Sequence, residues 1–142
     1  MVLVFLLLLV DFRSLKLSVI AMAQLVTGVI MMLGAMKLAD VHLNYVNAFV
    51  ATMILGVGID YSIHLVHRLS LGDGHISQGL LETGKAVVMA ALTNIAGFGT
   101  LWLGTYPALR SFGQVALIGS FTCLITALTF VPAVMAHKPR AD

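Results

Sequence analysis

Four stretches of the sequence are long and apolar enough to cross a lipid bilayer, which takes about 20 mainly apolar residues in a helix. They are Leu17–Met36, Tyr45–Val66, Ala86–Leu103 and Phe112–Ala136. The opening run Met1–Val10 is also apolar, but it is too short to cross a bilayer by itself. The pattern predicts an all-α membrane protein with four full transmembrane helices and a partial one at the N-terminus.

The opening run also has the length of a signal-peptide core. It lacks a positively charged start, however, and it continues into Asp11-Phe12-Arg13-Ser14 without the small-x-small cleavage pattern. We therefore favour a chain whose beginning has been lost, in which Met1–Val10 is the exit half of a spanning helix.

The composition supports a lipid environment. The 142 residues are 60% hydrophobic and 10% charged, whereas soluble domains contain roughly 25% charged residues. A soluble globular protein is therefore excluded, and a formal net charge of +2 is too small for a nucleic-acid-binding surface. The single cysteine, Cys123, cannot form a disulfide within the chain and is expected to fill space in the core.

Basic residues fall mainly on one side of the predicted spans. Lys37 and Arg110 lie on the side opposite to the larger group, which comprises Arg13, Lys16, Arg68, Lys85, Lys138 and Arg140. By the positive-inside rule the larger group faces the cytoplasm. The sequence thus predicts an integral membrane protein with a cytoplasmic C-terminus.

The connection between the second and third spans has a composition of its own. Turn-forming residues in Ser70–His75 end the second span, and Ile76–Lys85 then has a rough amphipathic pattern. The segment is predicted to be a short helix at the inner membrane interface. A plain polar loop remains an equally good interpretation.

Asp60 is an acidic residue well inside the second span. A carboxylate near the middle of a membrane helix costs about 2.5–3.5 kcal/mol even on the insertion scale. Such a residue normally faces a bundle interior or a water path, and desolvation favours its neutral form. Asp60 therefore has the properties that a proton carrier needs.

Several neighbours of Asp60 are candidates for the same relay. His64 follows four residues later, on the same helical face, and Tyr61 and Ser62 carry hydroxyl groups that could donate to the carboxylate. A hydrated His64 near the membrane interface is the competing interpretation. A metal site built from His64 and His67 is disfavoured, because too few ligands lie nearby in the sequence.

Polar and small residues recur in the second and third spans. Gly56 and Gly58 lack the third glycine of a dinucleotide-binding fingerprint, so we interpret them, with Gly97 and Gly99, as sites of close helix packing or as hinges. Thr93 and Asn94 are expected to face inward, toward Asp60 or a water chain, or else to join helices without a transport role. For Gln24 and Gln114 the structural role is favoured.

These residues resemble a known family. Gly56-Val57-Gly58-Ile59-Asp60-Tyr61 is similar to the Gly-x-Gly-x-Asp-Tyr signature of the resistance-nodulation-division (RND) superfamily, particularly its MMPL-type and hopanoid-transporter-like lipid exporters. Thr93–Leu101 with Pro107–Gly113 resembles the helix and short outer turn that follow in that family, and Phe130-Val131-Pro132-Ala133 resembles its final helix. The resemblance covers essentially the whole chain, residues 1–142.

The resemblance implies that the chain is the C-terminal membrane part of a twelve-helix transporter, with Ile76–Lys85 as an inner-surface helix. The N-terminal half and the extracytoplasmic domains would be missing from it. The implied function is export of a lipid or other hydrophobic molecule, driven by the proton gradient. Protons are the coupling ion, and no other cofactor is expected. The implied partners are membrane lipids, the hydrophobic substrate, the missing N-terminal half and, in some assemblies, further copies of the protein, but no nucleic acid.

The resemblance also suggests individual roles. Asp60 corresponds to the proton-coupling carboxylate, Tyr61 to its neighbour and Thr93 to a polar partner from the adjacent helix. Tyr61 stands where multidrug branches have a second aspartate, which favours the lipid-type branch, and Asn94 stands where many relatives have threonine. A receptor-type or sterol-sensing domain that does not pump, or an inactive truncated product, are the alternatives. An enzyme is disfavoured, because no nucleophile or oxyanion donors form an evident catalytic arrangement.

Overall fold

The computed structural model describes residues 2–42, 44–71 and 76–136, and the regular structure within these ranges is entirely helical. The helices are α1 (Val2–Phe12), α2 (Leu15–Leu38), α3 (Tyr45–Leu71), α4 (Ile76–Trp102) and α5 (Pro107–Ala136). The last four are each long and apolar enough to span a membrane, whereas α1 is shorter. The prediction of an all-α membrane protein with four full spans and a partial N-terminal helix is thereby confirmed.

The segment Ile76–Lys85 is helical, but it is not a separate helix at the membrane surface. It forms the first turns of α4, which runs without a break to Trp102. The prediction of a distinct inner amphipathic helix is therefore wrong. The physical reason is that no proline interrupts the segment, and Gly84 is accommodated in the helix against Leu128 of α5. The turn residues Gly72–His75, on which part of that prediction rested, lie outside the described residues.

Helix α5 is the centre of the bundle. Over an apolar stretch of 18 residues in α5, 56% of the residues are buried, compared with 17% over a stretch of the same length in α4. Glycines allow this central position, because a Cβ atom at Gly119 would lie 2.8 Å from Ile54 of α3 and 3.0 Å from Met32 of α2. At Gly113 a Cβ atom would overlap the backbone nitrogen of Trp102 and lie 2.7 Å from the carbonyl oxygen of Phe98. Small residues thus bring neighbouring backbones close to α5, as in other membrane bundles.

A buried polar cluster joins α2, α3 and α5. The Gln24 side-chain amide donates to the Thr126 hydroxyl at 3.1 Å, and the Ser62 hydroxyl donates to the Gln24 amide oxygen. All three side chains are buried. Polar side chains in a membrane bundle gain stability by bonding across helices, typically by about 0.6–2 kcal/mol each. The structural role expected for Gln24 matches this position.

Polar contacts also connect the helix ends. At one end, Arg68 of α3 forms an ion pair with Glu82 of α4 at 2.7 Å, and Asp11 of α1 lines a cavity together with Arg68. We call this the Arg68 end of the bundle. At the opposite end, the Asn44 side chain donates to the Ser111 hydroxyl at 3.2 Å. The C-terminal end of α3 and the N-terminal end of α4 therefore both lie at the Arg68 end.

Replacing Gly113 tests the close contact between α4 and α5. We expect Gly113→Ala to lower the free energy of unfolding by about 1–3 kcal/mol, because the new methyl group meets backbone atoms that cannot move aside. Gly34→Ala is the matched control, since a Cβ atom there has no neighbour within 4 Å. The measurement is the fraction of detergent-solubilised protein that stays monodisperse after heating. Equal losses in both variants would contradict the proposed tight packing.

Candidate functional site

A groove between α3 and α4 contains most of the residues that the sequence singles out. It has a volume of about 410 Å³. We call it the α3–α4 groove, and its lining combines four small apolar side chains with five polar or titratable ones: Val57, Asp60, Tyr61, His64, Thr83, Ala86, Val87, Ala90 and Asn94. A groove of this composition at the middle of a membrane bundle differs from the purely apolar surface that lipid favours.

Asp60 lies near the middle of the α3 span, which runs from Ala48 to Leu69. Its side chain is exposed on the surface of the bundle. Among the residues that the structure describes, no side chain forms an ion pair or a hydrogen bond with its carboxylate. The chain therefore presents an acidic group at mid-membrane depth on a face that its own helices do not cover.

Tyr61 is the next residue along α3, and only 3% of it is exposed. Its hydroxyl oxygen accepts a hydrogen bond from the Asn94 side-chain amide of α4 at 3.1 Å. The bond joins the two walls of the α3–α4 groove beside Asp60. Because the Tyr61 hydroxyl keeps its own hydrogen for donation, it can still bond to water or to a carboxylate in the groove.

His64 lies one helical turn from Asp60 toward the Arg68 end. The histidine side chain is exposed, and it lines the α3–α4 groove as well as a second cavity at the Arg68 end. The predicted common face of Asp60 and His64 is therefore found in the structure. Whether the two groups exchange a proton stays a prediction.

Two polar residues lie elsewhere than expected. The Ser62 hydroxyl donates to Gln24 and to the carbonyl oxygen of Gly58 at 3.2 Å, so it does not serve Asp60. Two residues along a helix correspond to about 200° of rotation, which takes Ser62 to the opposite face. Thr93 is exposed, and its hydroxyl donates to the Met89 carbonyl oxygen at 3.0 Å. The structure thus brings Asn94, but not Thr93, to the groove.

The four glycines nominated from the sequence have different surroundings. At Gly58 a Cβ atom would lie 3.0 Å from the Cys123 sulfur and 3.2 Å from Leu25, so this glycine permits close packing of α3 against α5 and α2. At Gly56, Gly97 and Gly99 a Cβ atom would meet nothing within 4 Å among the described residues. Close packing by these three glycines therefore has no partner within this part of the chain, and a hinge role stays a prediction.

Sequence reasoning did not identify Thr83, Ala86 and Ala90 as groove residues. Together with Asn94 they follow one another at intervals of three or four residues, which places them on one face of α4. That spacing was the available signal. Thr83 is missed because the segment before Ala86 is predicted to be an interfacial helix. Ala86 and Ala90 lie in the predicted span, where an apolar side chain does not by itself indicate a groove.

Histidine and acidic side chains, which bind metals in many proteins, are also present in the site. Within the described ranges, no group of three or more histidine, cysteine or acidic residues is arranged to hold a metal ion. The groove instead offers one carboxylate, one imidazole and the paired Tyr61 and Asn94 side chains. These groups can bind, hold and pass protons.

The chain is similar to several known membrane proteins. The chain is 33% identical to a membrane protein of Methanocaldococcus jannaschii over 96% of its length, and it spans 37% of that relative. It is 35% identical to a hopanoid transporter of Rhodopseudomonas palustris over 72% of its length, covering 12% of that protein. It is 28% identical over 92% of its length to the heme uptake protein MmpL11 of Mycobacterium tuberculosis, covering 14% of it.

The chain therefore corresponds to a minor part of each of these relatives. No solved structure gives a significant match to it. The model of the MMPL family matches residues 1–141. The groove residues Asp60, Tyr61 and Asn94 all lie within that match, and on these grounds the chain is an integral membrane protein that belongs to the MMPL family.

Proposed function

We propose that the chain is the proton-coupling membrane part of a secondary exporter that moves a lipid or other hydrophobic molecule outward across the bacterial inner membrane. The observation that carries the proposal is Asp60, a carboxylate at mid-span in a groove that also holds Tyr61, His64 and Asn94. Membership of the MMPL family and the similarity to hopanoid transporters support a hydrophobic substrate. The Arg68 end then faces the cytoplasm, in accord with the positive-inside rule.

A proton that crosses the membrane by way of Asp60 releases enough free energy to drive such a cycle. One elementary charge crossing a membrane potential of 100 mV releases about 2.3 kcal/mol. That is similar to the cost of about 2.5–3.5 kcal/mol for an ionised carboxylate at mid-helix. Since 1.4 kcal/mol corresponds to tenfold in an equilibrium constant, one proton shifts a two-state equilibrium by about fiftyfold.

The proposed cycle follows from that energy. Asp60 takes a proton from the outer side, becomes neutral and lets the helices adopt a second packing. Release of the proton toward the cytoplasm restores the charge and the first packing. The proton acts by binding the two conformations with different affinities. Tyr61 and Asn94 hold the groove walls together beside the carboxylate, and Thr93 is a relay candidate only after a rearrangement that brings it nearer.

Further parts of the same transporter are proposed to cover the groove. Asp60 is exposed in this chain, yet a carboxylate in contact with lipid is strongly disfavoured. The chain spans only a part of its relatives, so the remaining sequence of such proteins is available for the purpose. Additional copies of the whole transporter are compatible with this arrangement.

Substitution of Asp60 in the full-length protein tests the proposal. We expect Asp60→Asn to abolish proton transport while membrane insertion is kept, because the amide is neutral at every pH and cannot carry the proton. Asp40→Asn is the matched control, since Asp40 is exposed outside the spans with φ 54, a conformation that asparagine tolerates well. Proton movement is measured with a pH-sensitive dye trapped in proteoliposomes. Normal proton-driven efflux in Asp60→Asn would refute the carrier role.

Chemical labelling tests the location of Asp60 independently of transport. A hydrophobic carbodiimide reacts with protonated carboxyl groups, and it concentrates in the membrane. We expect Asp60 to be modified and the water-exposed Asp40 to be spared, as located by mass spectrometry of peptides. Labelling should decrease as the pH rises, because ionisation removes the reactive neutral acid. Equal labelling of both residues would show that Asp60 is not in an apolar environment.

Collapse of the proton gradient separates the exporter from a membrane domain that senses lipids without pumping. In inside-out vesicles, an exporter moves its substrate from the external medium into the lumen. With a protonophore present, we expect a fluorescent lipid analogue added to the external medium to stop entering the lumen. Binding of the same analogue should persist. A domain that only senses lipid would bind the analogue equally with and without a gradient and would accumulate none.

A further inference from the structure

Two cavities meet at His64 and Thr83. One is the α3–α4 groove that holds Asp60. The other, of about 480 Å³, is lined by Asp11, Ile63, His64, His67, Arg68 and Thr83 at the Arg68 end of the bundle. Because His64 and Thr83 line both, the two cavities adjoin along the α3–α4 seam.

We infer that these two cavities form the route by which a proton leaves Asp60 toward the Arg68 end, with His64 and Thr83 at its narrow point and Asp11 in its outer chamber. The inference rests on the proposed function, and it adds residues of α1 and α4 to the path. It also names the end of the bundle at which the route opens, which is the Arg68 end, where α3 ends and α4 begins. Asp11 and Thr83 have no role in the proposed cycle otherwise.

The distances along the helices suit such a route. Arg68 follows Asp60 by eight residues, which is about 12 Å along α3 at 1.5 Å per residue. His64 lies halfway, so no single step along the helix exceeds about 6 Å. Each cavity is more than ten times larger than the roughly 30 Å³ that a water molecule occupies in the liquid. Water held by these polar side chains can therefore bridge the gaps between them.

The charges of the outer chamber do not oppose a proton. Arg68 alone would repel it, but the guanidinium is paired with the Glu82 carboxylate at 2.7 Å, and the Asp11 carboxylate lines the same cavity. The remaining titratable side chains that line the path are Asp60, His64 and His67, with Tyr61 in the groove. Carboxylates thus outnumber the single guanidinium along the path, so the path as a whole does not repel a proton.

The opposite end is arranged differently. The cavity there is lined by Leu33, Met36, Lys37, Asp40, Val41 and His42, and it shares no residue with the α3–α4 groove. The groove reaches only as far as Val57 and Asn94 in that direction. Its continuous extension is therefore toward Arg68.

Neighbouring residues of α4 provide a matched test. Ala90 lines the α3–α4 groove, whereas Met89, at the same depth, lines a separate apolar groove between α4 and α5. In the full-length protein, Ala90→Cys should react with a membrane-impermeant cationic thiol reagent applied from the cytoplasmic side. Met89→Cys should react about tenfold more slowly, because a thiol in contact with lipid rarely ionises. The native Cys123 is buried and serves as an internal unreactive control.

A plug at the narrow point completes the experiment. Thr83→Phe should slow the labelling of Ala90→Cys and the proton flux by about tenfold, the rate change that 1.36 kcal/mol of barrier produces, while Met89→Phe, at an exposed position that lines neither cavity of the route, leaves both unchanged. If Thr83→Phe does not fold, the comparison of Ala90→Cys with Met89→Cys still decides. Equal labelling of that pair, no labelling of Ala90→Cys, or its labelling only from the outer side would overturn the route. If Asp60→Asn abolishes proton transport in that event, the carrier role of Asp60 stands and only the route is wrong.

Discussion

A carboxylate at the middle of a membrane span is the constraint on which the rest of this molecule depends. Asp60 lies on a face of α3 that its own bundle leaves exposed. An ionised group there needs water, a polar partner or a covering protein surface, and a protonated group needs none of these to the same degree. Under the proposed mechanism, the state of one proton would decide how the α3–α4 face packs, which is the property that a proton-coupled conformational change requires.

Two parts of the bundle are held together differently. Helices α2, α3 and α5 are joined by buried hydrogen bonds, whereas α3 and α4 are separated by the groove. Gln24, Ser62 and Thr126 join α2, α3 and α5 by buried hydrogen bonds, and Gly119 brings α5 close to both other helices. Asp60 is on the other face of α3, where the seam with α4 is lined largely by small side chains. Ser62 and Asp60, two residues apart, thus belong to different functions of one helix: the first fixes α3 to its neighbours, and the second is available to the groove. Such a division lets the groove change its packing while the framework stays in place.

Sequence reasoning reached the spans and Asp60, because the length of an apolar run and an acidic residue within it are both local signals. It did not reach the Tyr61–Asn94 bond, which joins residues 33 positions apart, since nothing local specifies the rotation of α4 against α3. Ser62 was misassigned although the angle of 100° per residue argued against it. Gly113 and Gly119 carry the closest contacts of α5, yet the sequence does not show what they contact, because a glycine reveals its neighbour only in the folded bundle.

The titratable side chains around Asp60 limit how much charge this part of the chain can move. Among the residues that line the α3–α4 groove, Asp60 is the single carboxylate, and the hydroxyl of the adjacent Tyr61 accepts a hydrogen bond from Asn94. Two carboxylates in contact would share their protons and titrate as a pair. A lone carboxylate instead changes by one charge, so under the proposed mechanism each conformational cycle would draw one proton through this groove. Because one proton at 100 mV supplies about 2.3 kcal/mol, the packing states that it connects must lie within a few kcal/mol of each other.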